Sequence, residues 1–317
     1  MEYLQLVAGF VLLFVGGESL VSGSVKFARG IGFPPILIGL TLVAFGTSAP
    51  ELATSIDAAL AGSPGIAVGN VVGSNITNVL LIIGLVAVIS PIACSAEVVR
   101  RDGSIMLLAS ILCLMALRYG ELTRWIGVTF VLALAAYLIF AVRTASRIET
   151  TEEAFANDAP SAGLVRHVKP LLIAVFGLTL VLIGADWLVD SSISIAQRLG
   201  VNESIVGLTI VAAGTSMPEL VTSLIAAIRR EADIAIGNII GSNIFNILAI
   251  LGATAVVAPI SVPAQIRNFD GYMMCVVTLL FVAASITGRR VSRGEGLIFL
   301  AMYIGYIALA STHIKDI

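Results

Sequence analysis

Charge is scarce in this sequence. Of its 317 residues only 12% are Asp, Glu, Lys or Arg, whereas 58% are hydrophobic and the mean hydropathy is +1.04. A soluble domain carries about 25% charged residues, so this chain has too few charges to cover a water-facing surface. The apolar excess is also too large for one core. The composition excludes a cytosolic enzyme and a secreted module, and it predicts a multi-pass protein whose main partner is the lipid bilayer.

Basic patches, histidine pairs and paired cysteines are also missing. The net charge of −2 offers no basic surface, which excludes nucleic acid as a partner. The two histidines, His167 and His313, lie in polar segments near helix ends, so they cannot together hold a buried metal ion. Cys94, Cys113 and Cys275 are scattered and are interpreted as small apolar packing residues. We therefore expect neither an enzyme nor an organic cofactor, and no obligatory protein partner is evident.

Long apolar runs separated by short charged breaks predict an all-α polytopic membrane protein with ten transmembrane helices. The predicted spans are 3–28, 34–60, 65–91, 103–119, 124–143, 169–196, 203–228, 232–258, 270–288 and 295–312. The longest polar stretch separates the fifth span from the sixth and is too short to fold as a domain. The chain is thus divided into a first five-helix repeat at 1–143, a cytoplasmic linker at 144–168 and a second repeat at 169–317.

The distribution of positive charge predicts the orientation. One set of alternate loops carries 13 Lys and Arg residues, whereas the opposite set carries five. The side richer in Lys and Arg faces the cytoplasm in most membrane proteins. We therefore expect a location in the cell (inner) membrane with both termini on the extracytoplasmic side, as an even number of spans requires.

The two halves of the chain repeat one another at an offset of 168 residues. Residues 16–92 align without a gap to 184–260, with 37 identities in 77 positions. The densest matches are GLTLVAFGTSAPELATS with GLTIVAAGTSMPELVTS, and GNVVGSNITN with GNIIGSNIFN. Because the offset spans five helices, an odd number, the second copy must cross the membrane in the opposite sense. Inverted repeats favour a transporter that alternates access between the two sides, and they argue against a gated cation channel.

A break is predicted near the middle of the second and seventh spans. The motif GTSAPE ends at Glu51 and its copy GTSMPE ends at Glu219. Proline removes a backbone hydrogen bond, and glycine loosens the helix beside it. Such breaks are tolerated in lipid where they line a polar cavity, so we expect the carbonyls of about Ala44 and Ala212 to be free to bind a cation.

The residue types around the two breaks predict an all-oxygen cation site. A carboxylate at membrane depth is costly unless it is paired, protonated or bound to a cation, and hard cations such as calcium and sodium prefer oxygen ligands. Two glutamates carry a charge of −2, which one calcium ion, two sodium ions or two protons would neutralise. Hydroxyls and amides at helical spacing supply neutral ligands. The candidate neutral ligands are Thr47, Ser48, Ser74, Asn78, Thr215, Ser216, Ser242 and Asn246.

Some polar residues have a structural alternative. The helix faces with Asn70, Ser74 and Asn78, and their repeat counterparts, could instead join helices by hydrogen bonds. Glu18 and Asp186 align under the same offset and could either support a broken helix or serve an ion pathway. Asp57 has no acidic counterpart, and we interpret it as a residue of a local cavity or of a helix end.

The paired motifs GTSAPE with GSNITN and GTSMPE with GSNIFN resemble the two alpha repeats of the cation/calcium antiporter superfamily, in particular its prokaryotic sodium/calcium exchangers. The resemblance covers essentially the whole chain. It implies an antiporter that exchanges calcium for sodium by alternating access, with four ion sites at the membrane centre and helices one and six sliding over the other eight. The alternative is a proton/calcium or other cation exchanger that uses the same two glutamates.

The resemblance also implies roles at matching positions. Glu51 and Glu219 match the family's carboxylate ligands, and the other matching positions are Ala44, Thr47, Ser48, Ser74, Asn78, Ala212, Thr215, Ser216 and Ser242. The chain departs at Asn246, where some relatives carry an aspartate. The expected site therefore has two formal charges, and in it Asn78 lies opposite Asn246.

Overall fold

The computed structural model describes residues 2–149, 165–198 and 212–314 of the chain. Almost all of these residues are helical. In chain order the helices are α1 (Glu2–Ile31), α2 (Pro35–Thr47), α3 (Ala49–Leu60), α4 (Pro64–Ile89), α5 (96–118), α6 (Arg124–Glu149), α7 (Val165–Arg198), α8 (Ala212–Thr215), α9 (Met217–Ile228), α10 (Ala232–Val257), α11 (Ile266–Gly288) and α12 (Arg293–Ile314).

The helices match the expected spans. Among the described residues, α1, α4, α6, α7, α10, α11 and α12 are long and apolar enough to cross a membrane, and the bent pair α2–α3 is an eighth candidate. The expected span at 103–119 lies in α5, whose first turns carry charged residues. The expected span at 203–228 contains α8 and α9, whereas its first residues lie outside the described part. The expected linker at 144–168 is helical at both ends, and its positions 150–164 are likewise outside the described residues.

Helices α4 and α10 form the centre of the molecule. In α10, 94% of the most apolar stretch is buried, and in α4 72%, compared with 11% in α12. Glycine permits this packing, because a Cβ atom on Gly241 of α10 would lie 2.6 Å from the Leu40 carbonyl oxygen of α2. The two helices that carry the GSN motifs are therefore shielded from lipid, whereas α12 is largely peripheral.

Helices α1 and α7 form a closely packed antiparallel pair. Gly9 faces Gly184 and Gly16 faces Gly177, so positions rise along one helix as they fall along the other. The offset of 168 turns one of these contacts into the other, which is the relation that an inverted repeat predicts. Residues of this pair form two small clusters, one shared with Ile38 and Val43 of α2 and one around Leu13, Val181 and Ala185. Val21 and Val25 of α1 belong to the large core around α4 and α10.

Two short ribbons join the halves at their ends. Strand β1 (Ile92–Ala93) pairs antiparallel with β4 (Arg290–Val291), and β2 (Glu121–Leu122) pairs antiparallel with β3 (Ile260–Ser261). Each ribbon takes one strand from each half of the chain. The ribbons therefore tie the halves together outside the α1–α7 pair.

Candidate ion-binding site

The two breaks have nearly the same backbone geometry. Ser48 has φ −85° and ψ 8°, and Ser216 has φ −89° and ψ 7°, which lie outside the helical region. Pro50 and Pro218 fall in the first turn of the next helix, where a missing N–H costs little. The result is a bend of 43° between α2 and α3 rather than a long unwound segment.

This geometry corrects the expectation for the Ala44 carbonyl. It is not free, because it accepts hydrogen bonds from the Ser48 N–H at 3.1 Å and from the Thr47 hydroxyl at 3.3 Å. A carbonyl oxygen has two lone pairs, so Ala44 could bind an ion only if one of these bonds gave way. Ala212 is the first residue of α8, and its side chain lies outside the described part.

The carboxylates of Glu51 and Glu219 are brought together in the interior. Each residue is only 1% exposed, and the two groups lie near enough to repel each other. The Ser48 hydroxyl donates a hydrogen bond of 2.9 Å to Oε1 of Glu219, which joins the first break to the second glutamate. Within the described residues, neither glutamate forms an ion pair, so two neighbouring carboxylates are buried without a basic partner.

Asn70 and Asn238 hold the helices that follow the breaks. The Asn70 side-chain N–H donates to the Glu51 carbonyl oxygen at 3.0 Å and to Ser55 at 2.9 Å. The Asn238 N–H repeats this pattern with the Glu219 carbonyl oxygen at 3.4 Å and with Ser223 at 3.0 Å. The two asparagines therefore position the glutamates through the main chain, which supports the structural alternative for these residues.

Several expected ligands present buried oxygens that accept no hydrogen bond from the described residues. These atoms are Oε2 of Glu51, Oε2 of Glu219, Oδ1 of Asn78, Oδ1 of Asn246, Oγ of Ser216 and Oγ of Ser242. Asn78 and Asn246 are also the first residues of widened π-helical turns, at Asn78–Ile83 and Asn246–Leu251. Such turns recur at functional sites. Acceptors from both halves are thus buried without donors, as a cation site requires.

The remaining expected ligands are less uniform. Thr47 is buried and its hydroxyl also lies 3.3 Å from Oδ1 of Asn238. Ser74 is buried, at 6% exposure, on α4. Thr215 is half-buried and lines a cavity beside the break. Thr47, Ser74 and Thr215 are therefore compatible with the expected ligand set, but their environments differ.

Several polar residues of the interior were missed by sequence reasoning. Ser55 and Ser223 complete the asparagine contacts described above. Asp102 is fully buried, paired with Arg101 at 2.7 Å, and Asp270 accepts a hydrogen bond of 3.1 Å from Tyr306. Each pair of acids or serines is related by the offset of 168, so the repeat alignment carried the signal that could have identified them.

The acids left open by the sequence have different environments. Glu18 forms an ion pair with Arg229, which follows α9. Asp186, its repeat counterpart, is exposed and lines the cavity beside Thr215. Asp57 is exposed near the end of α3, as expected for a helix-end residue.

Chemically, the centre of the molecule favours hard cations. The described residues contain no cluster of three or more His, Cys, Asp or Glu side chains, so a soft transition-metal site is not formed there. Two carboxylates and several neutral oxygens offer instead the ligand types that calcium and sodium prefer. A bound cation would also relieve the repulsion between Glu51 and Glu219.

Comparison with known proteins identifies the family. The model of the sodium/calcium exchanger protein family matches residues 1–143 and 169–312. The putative antiporter CaxA of Alkalimonas amylolytica is 38% identical over 95% of each chain. The inner membrane protein YrbG of Escherichia coli is 34% identical over 96% of this chain and 95% of its own.

A solved structure agrees with the fold. The sodium-calcium exchanger NCX_Mj superposes with a TM-score of 0.85 at 31% sequence identity, covering 97% of this chain and 98% of its own. The expectation of an all-helical polytopic protein with about ten helices is thereby confirmed, as is the resemblance read from the GTS and GSN motifs. The chain belongs to the sodium/calcium exchanger family and is a multi-pass membrane cation antiporter, not an enzyme.

Proposed function

We propose that the protein exchanges calcium for sodium across the membrane, with the ions bound near the midplane between two inverted five-helix repeats. The repeats are 1–143 and 169–317, joined by a cytoplasmic linker at 144–168. The proposed ligands are the carboxylates of Glu51 and Glu219 and the neutral oxygens of Ala44, Thr47, Ser48, Ser74, Asn78, Ala212, Thr215, Ser216, Ser242 and Asn246.

One observation carries the proposal. Glu51 and Glu219 are both buried without a basic partner among the described residues, Ser48 beside the first break donates to Glu219, and further proposed ligands present buried oxygens that accept no hydrogen bond. Burying an uncompensated carboxylate costs several kcal/mol, on the order of what a close counter-ion returns. A charge of −2 is balanced by one calcium ion or by two sodium ions, so the same site can hold either cargo in turn.

Sodium is favoured over protons as the counter-ion by the relatives. The NCX_Mj structures are those of a sodium-calcium exchanger soaked with sodium and with or without calcium. The GTS and GSN motifs also resemble those of sodium-coupled members more than those of proton-coupled ones. We place the protein in the cytoplasmic membrane, as the name of YrbG suggests, with both termini on the extracytoplasmic side.

Reconstitution tests the proposal directly. Purified protein in liposomes is given calcium outside, and calcium uptake is measured after loading the vesicles with sodium, with potassium or with buffer that imposes only a pH gradient. We expect rapid uptake with internal sodium and background uptake with internal potassium. Protein-free liposomes provide the control. Uptake driven equally well by the pH gradient alone, without sodium, would favour the proton/calcium exchanger instead.

A further inference from the structure

The repeat-related acids Glu18 and Asp186 occupy unlike surroundings on the α1–α7 pair. Glu18 is half-buried and forms an ion pair with Arg229. The position equivalent to Arg229 in the first half is Ala61, so the sequence offers Asp186 no basic residue there. Within the described residues Asp186 forms no ion pair. One acid has a basic partner in the structure, and the other has none among the described residues.

The helices around the two acids are also packed differently. Gly17 of α1 lies against α9, since a Cβ atom there would be 2.4 Å from Ile225 and 3.2 Å from Val221. The equivalent position in α7 is Ala185, which lines a cavity together with Pro50 and Thr54 of α3. This cavity between α7 and α3 has a volume of about 430 Å³.

This cavity places Asp186 beside the two helix breaks that carry the candidate ion site. Its walls come from α3, α7 and the second break, and among the described residues they include Pro50, Asp186, Thr215 and Pro218. Pro50 and Pro218 immediately precede Glu51 and Glu219, and Thr215 is a proposed ligand. Asp186 is the single ionisable side chain among these lining residues.

We infer that Asp186 is the receiving carboxylate for metal cations at this entrance: it concentrates hydrated sodium and calcium in the cavity and passes them to the site between Glu51 and Glu219. A cleft of one charge with low-dielectric walls raises the local concentration of counter-ions. The repeat-related position on α1 lacks this attraction in the same conformation, because Glu18 is paired with Arg229 and α1 packs against α9. The two sides of the membrane are thus served by unlike electrostatics.

The inference rests on the proposed function and is tested on the same liposomes, with the orientation of the protein determined by protease cleavage of a C-terminal tag. The concentration of calcium, and separately of sodium, that gives half-maximal exchange is measured from each side. The wild type is compared with Asp186→Asn, with the charge-conserving Asp186→Glu and with the matched control Glu18→Gln.

We expect Asp186→Asn to raise the half-maximal calcium concentration about threefold to tenfold on the cavity side at low ionic strength, and much less when the salt of a large organic cation screens the charge. Because the enrichment depends exponentially on ion charge, the factor for calcium should be the square of the factor for sodium. Asp186→Glu should restore wild-type values, and Glu18→Gln should leave this side unchanged.

Different results would contradict the proposed sodium/calcium exchange and the proposed role of Asp186. If the wild type shows no sodium-driven calcium exchange, the proposed function is wrong. If the wild type exchanges but Asp186→Asn keeps its half-maximal concentrations on both sides at low ionic strength, the receiving role of Asp186 is overturned. An equal change for sodium and calcium that persists at high ionic strength would also overturn it, because a purely structural role predicts that result.

Discussion

At the level of single residues, the two glutamates have the same sequence context but different contacts. The Ser48 hydroxyl donates to Glu219, whereas the hydroxyl of Ser216, the counterpart of Ser48, is buried and has no hydrogen-bond partner among the described residues. A two-fold symmetric site would make both bonds. The candidate site is therefore asymmetric in this conformation although its residues are repeated, and the carboxylate of Glu51 keeps more of its acceptor capacity.

Glu51→Gln and Glu219→Gln are each expected to lower sodium-driven calcium exchange about 100-fold or more, while the protein still inserts and folds. Leaving a buried charge without its counterpart costs about 3 kcal/mol or more, which corresponds to about two powers of ten in an equilibrium constant. Calcium uptake into sodium-loaded liposomes measures the effect. The control Glu97→Gln makes the same chemical change at an exposed residue of α5, and we expect it to be silent. Near-normal uptake by either site variant would contradict a central role for that glutamate.

Asn246→Asp is expected to make calcium exchange more dependent on pH. A third carboxylate would leave the calcium-bound site with a charge of −1, so a proton or a further cation would be needed to balance it. Exchange should then fall more steeply than in the wild type as the pH is raised from mildly acidic to mildly alkaline. Asn268→Asp adds the same charge to a residue hydrogen-bonded to Arg118, far along the chain from the motifs, and should leave the pH profile unchanged. A variant profile that overlays the wild type would show that position 246 does not face the ions.

At the level of helices, the molecule separates into a pair and a core. Helices α1 and α7 pack on each other through glycines at close backbone distance, and part of their apolar contact lies in clusters outside the core around α4 and α10, to which α1 adds only Val21 and Val25. The two ribbons join the halves elsewhere. Because interfaces between such packed units can shift as rigid bodies, the pair is the element that could move over the core to change access to the site.

Gly177→Ala is expected to destabilise the α1–α7 pair. Its Cβ atom would lie 2.3 Å from the Leu20 main-chain nitrogen and 2.7 Å from the Gly16 carbonyl oxygen, so the helices would have to separate. Overpacking of this kind costs about 1–3 kcal/mol. The thermal midpoint of the detergent-solubilised protein, followed by fluorescence-detected gel filtration, should fall.

Gly305→Ala is the matched control for this prediction. Gly305 is exposed on α12, and among the described residues nothing lies within 4 Å of the added Cβ atom. Alanine is the better helix former by about 1 kcal/mol, so this variant should be as stable as the wild type or more so. If the Gly177→Ala protein had the same thermal midpoint as the Gly305→Ala protein, the close packing of α1 and α7 would be contradicted.

At the level of the whole molecule, the balance of charge in the transport cycle distinguishes the two candidate exchangers. The candidate site carries −2, so calcium and two protons are electrically equivalent cargoes. Two sodium ions are equivalent as well, whereas a third sodium ion would carry one net positive charge across the membrane. One charge moving through 100 mV changes the free energy by about 2.3 kcal/mol, which is large enough to measure.

The family resemblance implies four ion sites, which leaves room for a third sodium ion, so we expect sodium-driven calcium uptake to respond to membrane voltage. In sodium-loaded liposomes, net positive charge leaves as calcium enters, so an inside-positive potential set by potassium and valinomycin should accelerate uptake, and an inside-negative potential should slow it. Uptake that depends on sodium but not on voltage would indicate two sodium ions for each calcium ion. Glu97→Gln protein serves as a control for the potential, and protein-free vesicles serve for ion leakage.

The sequence by itself determined that the chain lies in lipid and which class of protein it is, and it predicted the chemistry of the ion site. Low charge and long apolar runs required a lipid environment, the offset of 168 residues predicted the repeat, and two copies of a Gly-Thr-Ser break followed by Glu predicted a hard-cation site. These features are local or periodic, so they can be read without knowing which segments meet. The resemblance of the GTS and GSN motifs to those of the family pointed to it before any contact was known.

Only the tertiary structure decided how the repeated residues differ. It showed that the Ala44 carbonyl is already hydrogen-bonded, that Asn70 and Asn238 hold main-chain atoms, and that Ser48 donates to Glu219. It also separated Glu18, paired with Arg229, from Asp186 in its cavity. Identical motifs cannot encode such differences, because the contacts of equivalent residues come from segments far apart in the chain.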